Sequence, residues 1–287
     1  MIRSSTLLMI MVLSSACSAP QQKLQNQAVL SGLKENTVIA DKYLIKSYYS
    51  KNLEFETEET PNKLVFVYLE GDGRPWSKSL GPNNNPNTHR SVVLPLLIQA
   101  MEDTNEKGIY LSRPCYSLYP MPENCDVTLW TSHRYSKQVV DEMNEALAQL
   151  KKIFNIQKMV LVGHSGGGTL AMLLAKMRSD EKDIVAVVTL AGNLDHQAWT
   201  NYYGYLPLTG SLNPVDNPPL PSTVVRWHFA GTKDKSVPAE LIKAAAEKDN
   251  GATIQVLDNV DHNCCWGAQW NKTVEDIKKA IELKIKV

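Results

Sequence analysis

The 287-residue chain carries no net charge, with 30 Lys and Arg set against 30 Asp and Glu, and no stripe of basic residues. A nucleic-acid partner needs positive charge concentrated on one face, so none is expected. No internal repeat and no second apolar core divide the chain, which points to one main domain rather than an array. The N-terminal apolar run, Leu7 to Leu13, is seven residues long, where a membrane-spanning helix needs about 20. Cysteine is scarce, at five residues. Cys115 and Cys125 stand too far apart for a CxxC knuckle, so neither zinc nor any other metal is expected. What remains is an ordinary globular balance, 43% apolar and 21% charged, enough for one large α/β domain.

The N-terminus reads as a targeting segment. Met1-Ile2-Arg3 supplies a positive start, the apolar run follows, and Leu13-Ser14-Ser15-Ala16-Cys17 gives small residues up to a cysteine. The pattern resembles a bacterial lipoprotein signal. That resemblance implies removal of residues 1–16 and lipidation of Cys17, although Ser14 occupies a position where such signals prefer Leu. Cleavage after Ala16 or Ala19 as an ordinary signal is the other reading. Ser18 in place of Asp resembles a signal for the outer membrane, and the expected location is therefore a lipid anchor there, facing the periplasm. Several acyl chains on one residue would hold a protein stably. Residues 17–36, polar and Gln-rich from Gln21 to Asn26, are expected to form a tether.

Four further cysteines suit an oxidising compartment. Cys115 and Cys125 bracket a proline-rich loop and read as a local disulfide, worth about 3 kcal/mol on chain-entropy grounds. Three pairings are open to four cysteines. Cys264 and Cys265 are adjacent, and a trans peptide, with Cα atoms ~3.8 Å apart, would strain a bond between them.

Residues 37–287 read as the folded domain. An edge hairpin is expected over Thr37 to Tyr49 and Leu53 to Glu59, then a buried strand at Leu64 to Leu69. Further strands are expected at Gly108 to Ser112, Met159 to Val162, Ile184 to Ala191, Thr223 to Ala230 and Thr253 to Leu257. Helices are expected over Ser91 to Met101, Tyr135 to Phe154, Pro238 to Lys248 and Thr273 to Leu283. In Tyr135 to Phe154, Val139, Met143, Leu147, Leu150 and Phe154 recur at steps of three and four and make one buried stripe. Alternating strands and helices imply a doubly wound, mostly parallel sheet. An irregular segment of about 192–222 interrupts the alternation as a cap-like insertion.

The chemistry concentrates at Gly163-His164-Ser165-Gly166-Gly167, placed after a buried strand and before a helix-compatible run. Such a strand-to-helix turn lifts a serine hydroxyl into a cleft, where small neighbours let the backbone approach. A serine needs a base and a group that orients the base. Downstream, Asp234 follows one strand and His262 follows the last one. Asp195, after the preceding strand, is the rival acid. His164 and His228 read as structural.

Ser165, Asp234 and His262 match the α/β-hydrolase superfamily in order and context, and "GTKDKSVP" is similar to its acid loop. "RPC", "WTSHRYS" and "DHNCCW" resemble stretches of bacterial hydrolase lipoproteins. The resemblance implies an α/β-hydrolase fold and a Ser-His-Asp esterase working on a small-molecule or lipid ester, without cofactor. A peptidase or amidase with the same triad, or a lipid-anchored binding protein on that fold, is the alternative. The oxyanion hole is expected at the Gly166 amide together with Asp72 or Gly73, on a Glu70–Gly73 loop where hydrolases often carry His-Gly. A carboxylate at Asp72 would oppose an oxyanion, so its side chain is expected to turn towards Arg74 or Arg113. Trp199, Tyr202 and Tyr203, in the insertion, are candidates to line the substrate site or to pack the insertion onto the sheet.

Overall fold

The computed structural model describes residues 19–54, 61–77 and 80–285. Cys17 and the targeting segment lie outside them, as does most of the expected second arm of the edge hairpin, Leu53 to Glu59.

The first described element is a departure from expectation. Pro20–Leu30 is a helix, α1, where a tether was expected. Its composition is polar, but Leu24 and Ala28 stand one turn apart on the same face, and both are buried together with Gln21. Pro20 suits the first turn, where its missing N–H leaves no hydrogen bond unmade. Tertiary packing of this narrow stripe thus makes a helix of a stretch that composition assigns to coil.

The remaining strands are β1 (Lys34–Ile39), β2 (Leu44–Tyr49), β3 (Asn62–Leu69), two short pieces β4 (Trp76–Ser77) and β5 (Gly81–Pro82), β6 (Gly108–Leu111), β7 (Ile156–His164), β8 (Ile184–Leu190), β9 (Val225–Gly231) and β10 (Thr253–Leu257). The helices are α2 (Val93–Thr104), α3 (Lys137–Ile153), α4 (Gly166–Met177), α5 (His196–Tyr203), α6 (Ala239–Glu247) and α7 (Trp270–Ile285). Eight strands form the main sheet in the order β1-β2-β6-β3-β7-β8-β9-β10. From β6 to β10 every pairing is parallel, and β2 runs antiparallel to both its neighbours. The edge hairpin differs from the expected one: both its strands fall within residues 34–49, pairing Lys34 with Tyr49 through Ile39 with Leu44, and Leu53 ends a short 3-10 helix, Lys51–Leu53.

Strand alternation divides the core into two layers. Val65, Val67, Leu69 and Leu161 face α3 and α4, where Met143, Leu147 and Leu170 pack. Phe66, Tyr68, Val160 and Val162 face α2 and α7, where Leu97, Trp270 and Ile277 pack. Because both faces are covered, β8 is buried throughout and shows no polar alternation, and β3 and β7 are buried except near their starts. The ends of β3, β7, β9 and β10 lie at one edge of the sheet, where such folds carry their sites. Among the described residues no helix is long and apolar enough to cross a membrane.

Candidate active site

Ser165 is the residue between β7 and α4, and its backbone adopts φ 51° and ψ −119°. This left-handed conformation is costly for a residue with a Cβ and persists only where the surroundings fix it. They do so here through three backbone bonds. Ser165 N–H donates to Leu190 O at 2.9 Å, and Ser165 O accepts from Gly168 N at 2.9 Å and Asn193 N at 3.1 Å. At Gly167 an added Cβ would collide with the carbonyl oxygen of Leu69, so the small residue lets α4 start directly against β3.

His262 follows β10 and Asp234 follows β9. His262 Nδ1 lies 2.8 Å from Asp234 Oδ2. The other carboxylate oxygen accepts from Ser236 N at 2.7 Å and Val237 N at 2.9 Å. Fully sealed and held on both oxygens, Asp234 can orient the imidazole so that Nδ1 carries the proton and Nε2 is free to accept one. Asp195 sits elsewhere. It caps α5 by accepting from Ala198 N at 3.1 Å and is bound by Asn213 and Lys248.

Two buried groups beside the serine complete the frame. His164 Nε2 lies 2.7 Å from the backbone carbonyl oxygen of His262, and its Nδ1 is 3.7 Å from Glu70 Oε1. Glu70 also accepts from Ser91 Oγ and from Val92 N. The Gly71 amide donates to Glu70 Oε1 at 3.2 Å. The Asp72 and Gly73 amides donate to no backbone or side-chain acceptor among the described residues, which leaves both available, with Gly166 N at the start of α4, to an incoming oxyanion.

The side chain of Asp72 turns to Arg113 and not to Arg74. Asp72 Oδ1 pairs with Arg113 Nη1 at 2.6 Å, and Oδ2 pairs with Arg134 Nη1 at 3.1 Å and accepts from Tyr135 Oη. Tyr116 Oη donates to the Asp72 backbone carbonyl at 3.0 Å. Burial pushes the Asp72 carboxyl up, but Arg134 and Arg113 outweigh it and hold it down at about 2. A Cβ on Gly166 would collide with Asp72 Oδ1, so the glycine after the serine leaves room for this carboxylate. "RPC" and "SHRYS" therefore converge: Arg113, Arg134 and Tyr135 anchor the loop of Asp72. Arg134 and Tyr135 carry no role in the sequence reading, which takes His164 as structural and Glu70 only as the head of the oxyanion loop. The only signal was a pair of arginines within motif-like stretches, far apart in the chain.

A cleft of about 900 Å³ starts at Gly73 and runs beneath the insertion, walled by Trp76, Trp199, Tyr205 and Leu206. Trp199 lines it and also donates from Nε1 to Ser236 O at 2.7 Å. Tyr202 and Tyr203 do not line it. The Tyr202 hydroxyl reaches Glu240 on α6 and the Tyr203 hydroxyl the Lys235 carbonyl beside Asp234.

Cys115 and Cys125 are bonded, with Cα atoms 5.7 Å apart. Cys264 and Cys265 are bonded to each other. The sequence argument against that pairing assumed a trans peptide. The peptide here is cis, with the Cα atoms 3.1 Å apart. Among the described residues no group of three or more His, Cys, Asp or Glu is placed to hold a metal ion.

Residues 94–200 match the model of the lipase (class 3) family. No curated protein matches the chain. Among solved structures, Est1E from Butyrivibrio proteoclasticus is similar at 13% identity and a TM-score of 0.58, covering 88% of this chain and 99% of its own. An esterase from Pyrococcus furiosus is similar at 12% identity and a TM-score of 0.58, covering 87% and 91%. A membrane phospholipase A described as a bacterial virulence factor is similar at 12% identity and a TM-score of 0.54, covering 93% and 92%. These likenesses are of fold.

Proposed function

We propose that this chain, which has the α/β-hydrolase fold, is a serine hydrolase of carboxylic esters, with Ser165, His262 and Asp234 as its triad. The observation that supports the reading is the 2.8 Å contact of His262 Nδ1 with a sealed Asp234, together with a serine in a left-handed turn at the head of α4. Ser165 Oγ attacks the ester carbonyl carbon while His262 Nε2 takes its proton. The carbonyl oxygen becomes an oxyanion that accepts from Gly166 N and from the Asp72 or Gly73 amide. As the tetrahedral intermediate collapses, His262 gives the proton to the departing alkoxide and an acyl-serine remains. Water, deprotonated by His262, then releases the acid and restores Ser165.

The match to a lipase family and the likeness to esterases and a phospholipase favour an ester over an amide. The apolar wall of Trp76, Trp199 and Leu206 suits an acyl chain or aromatic ring, small or lipidic. The test is a panel of p-nitrophenyl esters and matching anilides. Ester turnover that disappears in Ser165→Ala, with folding intact, supports the reading. Faster turnover of the anilides would move it to an amidase.

Export and lipidation at Cys17 belong to the same proposal, on the strength of the sequence alone. Cys17→Ser should move the protein from the membrane to the soluble exported fraction. Wild-type protein without lipid on intact-mass analysis would refute the anchor.

A further inference from the structure

The arginines around the cleft carry more positive charge than the protein neutralises. Arg134 is 3% exposed. Its Nε donates to Thr131 O at 2.7 Å and its Nη1 pairs with Asp72. Its Nη2 donates to no protein acceptor among the described residues. Nη2 is also not among the sealed side-chain atoms that lack a partner, and Arg134 lines the cleft. Asp72 is shared with Arg113, which sets one carboxylate against two guanidiniums. Burial works to lower Arg134, but Asp72 reverses this and raises it, so both cations persist beside the ionised acid.

The mouth repeats the imbalance. Arg74 is exposed, and its guanidinium meets His89 rather than an acid among the described residues. The cleft lining contains Arg74 and Arg134 and no Asp or Glu. The rest of the wall is mostly aromatic and aliphatic, a setting in which a charge-assisted hydrogen bond is about twice as strong as a neutral one. A neutral ester would leave the Arg134 donor facing apolar substrate, and an anion would satisfy it.

We propose that this cleft is an anion subsite: the substrate is an ester that also carries a carboxylate or a phosphate, held by Arg134 Nη2 and by Arg74, with its apolar body on Trp76, Trp199 and Tyr205. The subsite begins at Gly73, on the loop that offers the oxyanion donors, so the anion and the scissile carbonyl belong to one molecule. The inference rests on the ester-hydrolase reading above and narrows its substrate class.

The test compares three esters on the full, processed protein: p-nitrophenyl hexanoate, the mono-p-nitrophenyl ester of adipic acid, and an analogue ending in phosphate. At low salt, kcat/KM for at least one anionic ester should exceed that of the neutral ester about tenfold, and the preference should shrink as salt rises. Which anion is favoured separates a carboxylate source from a phosphate source. Arg74→Glu should reduce the anionic-to-neutral ratio about tenfold, chiefly through KM. Equal or better turnover of the neutral ester, with a ratio indifferent to Arg74→Glu, would overturn the subsite. Failure of the hydrolase reading is seen separately, as no turnover of any ester and no fluorophosphonate adduct. In that event, calorimetry with Ser165→Ala protein still decides. About tenfold tighter binding of an anionic ester sustains the subsite, and equal affinity for the neutral ester refutes it.

Discussion

His164 Nε2 lies 2.7 Å from the main-chain carbonyl oxygen of His262, so the residue before Ser165 holds the loop that carries the proposed base. A carbonyl only accepts, and the bond therefore requires the proton on Nε2. The two rings lie 4.7 Å apart, and the other face of the contact is Glu70, at the head of the oxyanion loop. One imidazole thus links the loops of Ser165, His262 and Glu70.

His164→Ala should lower kcat by about 10- to 100-fold with little change in KM, because a shift of ~1 Å in the base costs rate rather than binding. Steady-state kinetics on a soluble ester checks this. A kcat left unchanged while thermal stability falls would reduce His164 to a packing residue.

Asp72→Asn should destabilise the fold by about 3–5 kcal/mol, since it strands two buried guanidiniums. Asp72 is held at about 2 against an ordinary 3.8, so its protons bind more weakly in the folded protein than in the unfolded chain. Its contribution, about 2 kcal/mol, is complete above pH ~4 and is lost as pH falls towards ~2. Denaturant unfolding at pH 7, 4 and 2.5 should show this loss in wild type and a shallower fall in Asp72→Asn.

Asp234→Asn should lower kcat by roughly 10⁴-fold, the scale on which losing the orienting acid misplaces the imidazole proton. Asp195→Asn should cost little activity and about 1 kcal/mol of stability at most, as a weakened helix cap. The reverse order in kcat would transfer the acid to Asp195.

Elements with strong periodicity were legible in the sequence. α3 shows its stripe, and β7 to β9 read as apolar runs, because burial on one or both faces leaves a repeating signature. The sequence also places Ser165, Asp234 and His262 after strand ends, where the structure has them following β7, β9 and β10. What was illegible depended on contacts between distant segments. α1 owes its helix to Leu24 and Ala28 meeting a core built from later strands. The Asp72 cluster joins residues 41 and 62 positions apart. No local pattern announces such a meeting. Tyr202 and Tyr203 are candidates by composition, yet their hydroxyls reach Glu240 on α6 and the Lys235 carbonyl rather than the cleft.

Cys264 and Cys265 are exposed and lie two and three residues beyond His262. The Cys264 carbonyl accepts from Asp261 N at 2.6 Å, and Trp266 Nε1 donates to the His262 carbonyl at 3.3 Å, so the pair sits within the turn that sets the base. Cys264→Ser with Cys265→Ser should lower esterase activity about 10- to 100-fold while the Cys115–Cys125 bond and the fold persist. Circular dichroism and kinetics on the same sample check it. Two alkylatable thiols at 264 and 265 in freshly exported, unreduced protein would refute a role for the bond.

The central claim, that Ser165 is a nucleophile activated by His262, is tested most directly by fluorophosphonate labelling with peptide mapping. The account predicts one covalent adduct, on Ser165, absent from Ser165→Ala and formed far more slowly in His262→Ala. A folded wild-type protein that forms no adduct, or forms it on another residue, would contradict it.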